Sequence, residues 1–131
     1  MTKTLSAVEF ENAGFRNRVE SVEVWKTRKF IEEHSDEKLS LRRVAKAVNI
    51  HPNYLSERFK QVTGMNFVEY VARFRFEKAC GLFEDSDLRV SEIAFAVGFQ
   101  SLSQFNRVFK RLAGKSPTQF RAANRVARRY R

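Results

Sequence analysis

The sequence predicts an all-α fold built on two related helix-turn-helix units. Three observations lead there. Glycine and proline are scarce, 5 and 2 in 131 residues, which is too little punctuation for a turn-rich all-β fold. Hydrophobic residues reach 43% and include 13 phenylalanines, so the chain can bury a core despite its charge and wholesale disorder is excluded. The third observation is an internal repeat. Leu39, Ala45, Ala47 and Val48 recur 49 residues on as Leu88, Ala94, Ala96 and Val97; after one extra residue, Phe59, Lys60 and Gly64 recur 50 residues on as Phe109, Lys110 and Gly114. Conservative pairs fill the gaps: Leu41/Val90, Val44/Ile93, Ile50/Phe99, Leu55/Phe105, Val62/Leu112 and Tyr70/Phe120. Glycines and aromatics shared at one spacing argue against two amphipathic stretches that look alike by chance, and two copies are too few for a solenoid.

The elements follow in chain order. Residues 1–18 show no clear period and read as an N-terminal arm, with disorder one possibility. Residues 19–66 read as the first unit. It opens with an amphipathic helix near 19–34 that turns Val24 and Ile31 inward as a buttress. A helix then begins after Ser40, a good N-cap, and stops at Asn49, where the second copy has Gly98; both tolerate the left-handed conformation that ends a helix. The second helix runs from Pro52 to Thr63 in one copy and from Leu102 to Ala113 in the other, opened by Pro52 at its first position and by Ser101 as a cap. Gly64 and Gly114 close these helices. Asn66-x-x-Glu69 and Ser116-Pro117-x-Gln119 then read as capping boxes that open a third helix. Helix, short turn with a left-handed residue, helix is a helix-turn-helix pattern, and here it occurs twice.

Residues 67–85 read as a linker helix. Phe67, Val71 and Phe74 mark one apolar stripe, and Phe76, Ala79, Cys80 and Phe83 mark another. Two stripes suit a connector packed on both units; the rival is the central helix of one compact bundle. Residues 86–131 read as the second unit, ending in a basic helix through Arg121, Arg125, Arg128, Arg129 and Arg131.

The charge follows the same division. The chain holds 25 Lys+Arg against 15 Asp+Glu, a formal net of +10. Residues 1–36 are net −1, residues 37–82 net +5 and residues 83–131 net +6, so both repeats are basic and a polyanionic partner is expected. The single cysteine, Cys80, excludes an internal disulfide and reads as a small buried hydrophobe. No apolar stretch is long enough to span a bilayer, and no signal peptide is legible at the N-terminus. The expectation is a soluble cytoplasmic protein with no membrane partner and no cofactor. His34, His51 and Cys80 are scattered, and no HExxH, CxxC or phosphate-binding glycine loop occurs, so an enzyme has little support.

The run from Ser91 to Arg121, SEIAFAVGFQSLSQFNRVFKRLAGKSPTQFR, resembles the signature of the AraC/XylS family of bacterial transcription regulators nearly throughout. The first unit, Leu39 to Tyr70, fits less tightly, and the resemblance covers about residues 20–125. It implies a seven-helix DNA-binding domain: two helix-turn-helix units joined by one long helix, with recognition helices entering adjacent major grooves on one face of double-stranded DNA. It also implies a transcription activator that touches RNA polymerase and associates with the bacterial nucleoid when bound. Many members carry a separate ligand-binding domain. The stretch before residue 19 is too short for one, so the chain resembles the stand-alone members or an excised domain.

In such proteins the second helix of each unit faces base edges with its N-terminal half. The outward face of the first is Asn53, Ser56, Glu57 and Lys60; that of the second is Leu102, Ser103, Asn106, Arg107 and Lys110. The opposite faces, Leu55/Phe59/Val62 and Phe105/Val108/Phe109/Leu112, are needed for packing. By resemblance, base reading falls to Asn53, Ser56, Glu57, Leu102, Ser103, Asn106 and Arg107. A guanidinium pairs bidentately with guanine, which makes Arg107 the leading reader, with a phosphate clamp as its alternative. Asn53 and Asn106 suit adenine or are neutral surface residues. Leu102 either meets a thymine methyl or is simply exposed. Glu57 departs from the family, where a basic residue is common; it accepts from cytosine or pairs along the helix with Lys60 or Gln61.

Lys60, Lys110, Arg111, Lys115 and Arg121 form the expected phosphate set, with Arg42, Arg43 and Lys46 as weaker members. Helix N-termini near Ser40, Ser101 and Ser116 offer amides to phosphates as well. His51 stands where a small cap is expected and reads as a helix-end, phosphate-facing or merely exposed residue. Two such helices on one monomer reach sites about 34 Å apart, one duplex turn, and a stiff connector requires the DNA to bend. The alternative to sequence-specific binding is a basic binder of DNA or RNA without sequence preference, which charge alone supports equally.

Overall fold

The computed structural model describes residues 18–130. Among them the chain forms seven α-helices and no strand: α1 Arg18–His34, α2 Leu41–Val48, α3 Pro52–Thr63, α4 Phe67–Asp85, α5 Val90–Ala96, α6 Leu102–Ala113 and α7 Pro117–Arg129. The arm expected at residues 1–18 lies, apart from Arg18, outside the described residues. Packing divides the chain into two compact units. The first holds α1, α2, α3 and the start of α4 as far as Tyr70; the second holds the chain from Val71 onward together with the short connector Ser35–Lys38. Thus α4, set apart in the sequence as a linker at 67–85, contributes its first turn to one unit and the rest to the other.

The helix ends are made by the residues that announce them. Ser40 Oγ accepts from the Arg43 amide at 3.1 Å, and Asn49 closes α2 in the left-handed region at φ 60°. The Ile50 amide then reaches back to the Ala45 carbonyl at 2.9 Å, and 49 residues later the Phe99 amide reaches the Ala94 carbonyl at 3.1 Å around Gly98 at φ 110°. This paired return bond is the Schellman closure, which satisfies carbonyls the helix leaves open. The repeat therefore persists at the level of individual hydrogen bonds. Gly64 and Gly114 end α3 and α6 by the simpler left-handed cap, a single bond from each glycine amide at 2.9 Å to the carbonyl of Lys60 or Lys110. At α7 both arms of the capping box form between Ser116 and Gln119. At α4 the Glu69 amide donates to Asn66 Oδ1 at 2.8 Å.

Side-chain packing distinguishes the two copies. In the first unit Val24, Ile31, Val44, Leu55 and Phe59 are fully buried, so the inward assignment of Val24 and Ile31 in α1 holds. The second unit is built largely of phenylalanine. Phe83, Phe105 and Phe109 lie at its centre, with Phe76, Phe99 and Phe120 against them, and Phe109 meets Phe76, Phe83 and Phe120 at centroid distances of 4.9, 5.5 and 5.2 Å. These edge-on contacts add about 0.5–1.5 kcal/mol each beyond area burial.

Along α4 the buried residues are Phe67, Val71, Arg75, Ala79 and Phe83, one every four positions. Each step of four overshoots a helical turn by about 40°, so the buried line sweeps round the helix instead of running straight along it. That sweep is why the pattern shows two stripes in the sequence. Phe74 and Phe76, named in those stripes, are only half-buried.

Arg75 is the unexpected member of the line. It is 8% exposed, and its Nε and Nη2 each donate at 2.8 Å to the carbonyls of Ser35 and Glu37. Its guanidinium also lies 5.9 Å from the Phe99 ring centroid. Two carbonyl acceptors and an aromatic face replace the water lost on burial; the desolvation still lowers its pKa from the usual arginine value. Gly98 packs directly against this group. A Cβ there would sit 2.0 Å from the Ser35 carbonyl oxygen and 2.8 Å from Arg75 Nε. Asn49 performs the same turn in the first copy, and the close approach is what confines position 98 to glycine.

Candidate nucleic-acid interface

The two helices expected to read DNA, α3 and α6, are both 12 residues long and lie 50 positions apart. Each anchors one face in a core: Leu55 and Phe59 in α3, Phe105 and Phe109 in α6 are buried, with Val62, Val108 and Leu112 half-buried beside them. Side chains spaced three and four residues apart then share the opposite face. In α3 these are Asn53, Glu57 and Lys60, all exposed, with Ser56 half-buried. In α6 they are Ser103, Asn106, Arg107 and Lys110, all exposed, with Leu102 at the edge at 37% exposure. The structure brings together on each helix the residues expected there.

The two faces present different chemistry at matched positions. Offset by 50, Asn53 corresponds to Ser103, Ser56 to Asn106, Glu57 to Arg107 and Lys60 to Lys110. An acid thus stands in the first helix where a guanidinium stands in the second. Among the described residues, the side chains of Glu57, Arg107 and Lys110 make no hydrogen bond or ion pair with one another or with a neighbour. Of the partners expected for Glu57 along the helix, Lys60 and Gln61, neither is seen paired with it; Gln61 Oε1 instead accepts from Arg58 Nη1 at 2.6 Å. Arg58 is a half-buried residue of α3 that periodicity alone did not single out.

Each helix starts from a defined cap. Ser101 Oγ accepts from the Gln104 amide at 3.1 Å. In α3 the cap is His51, whose Nδ1 accepts from the Asn53 amide at 3.2 Å, with Pro52 at the first helical position. Of the roles open to His51, the helix-end role is the one observed. Tyr54, next along α3, donates to Glu23 Oε1 of α1 at 3.3 Å.

Cationic side chains are also exposed at Arg42, Arg43 and Lys46 of α2, at Arg111 of α6 and at Lys115. Arg121, expected to contact phosphate, is half-buried: its Nη2 donates to the Leu88 carbonyl, and its guanidinium lies 4.9 Å from the Phe83 ring centroid. A phosphate at Arg121 has to compete with both contacts. Cys80 is half-buried against the second core, and burial, reinforced by Glu84 and Glu77, pushes its thiol up to about 11. No group of three His, Cys, Asp or Glu residues suited to a metal occurs among the described residues, and no helix there is long and apolar enough to cross a membrane.

Comparison with known proteins places this geometry. Residues 44–123 match the model of a family described as a helix-turn-helix domain. The chain is 37% identical over 94 residues to the HTH-type transcriptional regulator YijO of Escherichia coli, a match covering 72% of this chain and 33% of the relative. It spans about a third of that relative's length. Among solved structures, the C-terminal domain of AraT, a response regulator from Geobacillus stearothermophilus, superimposes with a TM-score of 0.75 at 35% identity, covering 77% of this chain and 84% of that one. The DNA-binding domain of AdpA, a global transcriptional factor solved in complex with a target DNA, superimposes with a TM-score of 0.77 at 28% identity over 80% of this chain and 95% of that one. Sequence signature, repeated turn geometry and relatives agree, and the chain belongs to the AraC-type family of helix-turn-helix DNA-binding domains of transcription regulators.

Proposed function

We propose that the chain binds double-stranded DNA sequence-specifically as a transcription regulator, reading two adjacent major grooves as a monomer. One observation carries the reading: α3 and α6 each anchor one side in a core, through Leu55 and Phe59 or Phe105 and Phe109, and hold a polar, differently composed side outward. A helix that only neutralised phosphate would need cations alone. Here Asn, Ser, Glu and Arg occupy the face, and these types distinguish base edges by donor and acceptor pattern. Arg107 is the principal reader, toward guanine; Asn53, Ser56, Glu57, Leu102, Ser103 and Asn106 complete the reading set. Lys60, Lys110, Arg111, Lys115, Arg42 and Arg43 supply phosphate contacts, with Arg121 a weaker member because its guanidinium is already engaged.

A site of about two duplex turns is expected, and an asymmetric one, since the two faces differ. Activation through contact with RNA polymerase, and residence on the nucleoid, are the further parts of the proposal and rest on family likeness. Titration of a selected duplex against excess random DNA tests the reading. Specific binding survives the competitor; a non-specific basic binder is displaced in proportion to it.

A further inference from the structure

The repeat sets an acid and a guanidinium at matched positions, and only one of the two suits a polyanion. Arg107 attracts phosphate and base alike. Glu57, 50 positions earlier on the outward face of α3, carries the sign of charge that DNA itself carries. An acid on a solvated helix surface is commonly held by a cation or amide one turn away. Here it is not: among the described residues Glu57 forms no ion pair with Lys60, and Gln61 is engaged by Arg58. The carboxylate stays exposed in the N-terminal half of α3, the half that faces base edges in helix-turn-helix proteins, between the uncharged Asn53 and Ser56 and the cation Lys60.

Like charges repel, so seating α3 in a groove walled by phosphates costs affinity unless the carboxylate meets a donor. The major groove offers two kinds, the N4 amino group of cytosine and the N6 amino group of adenine; guanine O6 and N7 and thymine O4 are acceptors. Adenine sets its amino group beside the N7 acceptor. An amide, which donates and accepts, matches that pair, whereas a carboxylate, which only accepts, does not. Cytosine presents its donor with no acceptor beside it on the same base. Arg107 has the reverse inventory, all donors and no acceptor, and so matches guanine.

We infer that Glu57 is a specificity-determining residue that works by rejection: it admits α3 to the groove where a cytosine amino group meets it and opposes entry over any other base. The two units then read by opposite means, the second through attraction of Arg107 to guanine, the first through exclusion by Glu57 of all but cytosine. The inference rests on the DNA-reading function proposed above. On DNA of random sequence the acid weakens the first unit's hold, and a matching cytosine restores it.

The test titrates the wild-type chain, Glu57→Gln and Glu57→Ala at one ionic strength against three sets of DNA: the duplex that the wild type selects from a random pool, a panel of its single-base variants, and random duplex. Glutamine and alanine are good helix formers and the site is exposed, so both variants keep the fold. The wild type should prefer cytosine at one position by about tenfold, the scale of one base contact. At that position Glu57→Gln should prefer adenine, whose N6 and N7 an amide pairs with, and Glu57→Ala should accept any base. Both variants should bind random duplex more tightly than the wild type does. A wild type that prefers a duplex through bases unaffected by Glu57→Gln overturns the inference and leaves the DNA-reading function standing. So does a uniform gain of affinity in both variants with the preferred bases unchanged, which marks an acid that repels phosphate and reads nothing. A wild type with no sequence preference overturns the DNA-reading function and the inference together.

Discussion

Replacing Gly98 by alanine is the sharpest probe of how the second unit is assembled, because the same substitution at two other glycines supplies its control. Gly64, Gly98 and Gly114 all have positive φ, 78°, 110° and 77°. Each alanine therefore carries a backbone penalty of about 1–2 kcal/mol. At Gly64 and Gly114 nothing lies within 4 Å of the added Cβ, so that penalty is the whole cost. At Gly98 the Cβ would stand 2.0 Å from the Ser35 carbonyl oxygen. Backbone cannot rotate aside, so the connector Ser35–Lys38 has to move, and the Arg75 bonds to the Ser35 and Glu37 carbonyls are strained or broken. A hydrogen bond from a charged donor contributes about 1.5–3 kcal/mol. Gly98→Ala should thus cost roughly 2.5–5 kcal/mol, about 1.5–3 more than Gly114→Ala, out of the 5–15 kcal/mol typical of a domain. Urea unfolding followed by far-UV circular dichroism reads the difference as a shift in midpoint at constant slope. Equal losses for Gly98→Ala and Gly114→Ala would refute the reasoning, since they would mean the connector is not pressed against the turn.

Arg107→Ala should cost about 1–3 kcal/mol of binding and relax preference at one or two base pairs, whereas Lys110→Ala should weaken all sequences alike and reduce the salt slope by about one. Uniform loss in both variants, measured on a panel of single-base duplex variants, would remove Arg107 from the reading set. Arg121→Ala should lower stability by about 1–2 kcal/mol through loss of its carbonyl and aromatic partners and, as the weaker phosphate contact, should reduce the salt slope of binding by less than about half; a slope reduced by about one would make it a full phosphate contact. The Cys80 thiol, raised to about 11, should react with a disulfide reagent far more slowly in the folded chain than in urea at mildly alkaline pH. Its raised pKa also fixes the direction of linkage: the contribution is fully present below the ordinary thiol pKa of about 8.5 and is lost as the pH climbs toward the folded value. A Cys80→Ala variant should lack that alkaline loss, and equal alkaline destabilisation in both proteins would disprove the assignment.

Much of the fold was legible because its signals are local. The bounds of α3 and α6 follow from Pro52, Ser101, Gly64 and Gly114, residues whose effect reaches no further than one helical turn. The reading faces follow from spacing on a known helix. Glu57 shows where such reasoning stops: Lys60 and Gln61 are its expected partners along the helix, yet neither pairs with it, because spacing does not encode which rotamers a helix surface adopts.

From its one-dimensional text alone, this chain announces a duplicated helical unit, the ends of its helices, the side of each reading helix that stays wet, and the charge that draws a polyanion. Folding in three dimensions decided what Arg75, Gly98 and Arg121 do. Arg75 meets the Ser35 carbonyl across 40 residues of sequence, and that meeting turns a charged side chain into core and a turn glycine into a necessity. Helix periodicity and capping are properties of neighbours within a turn, but the desolvation of a charge depends on which distant backbone arrives to replace its water.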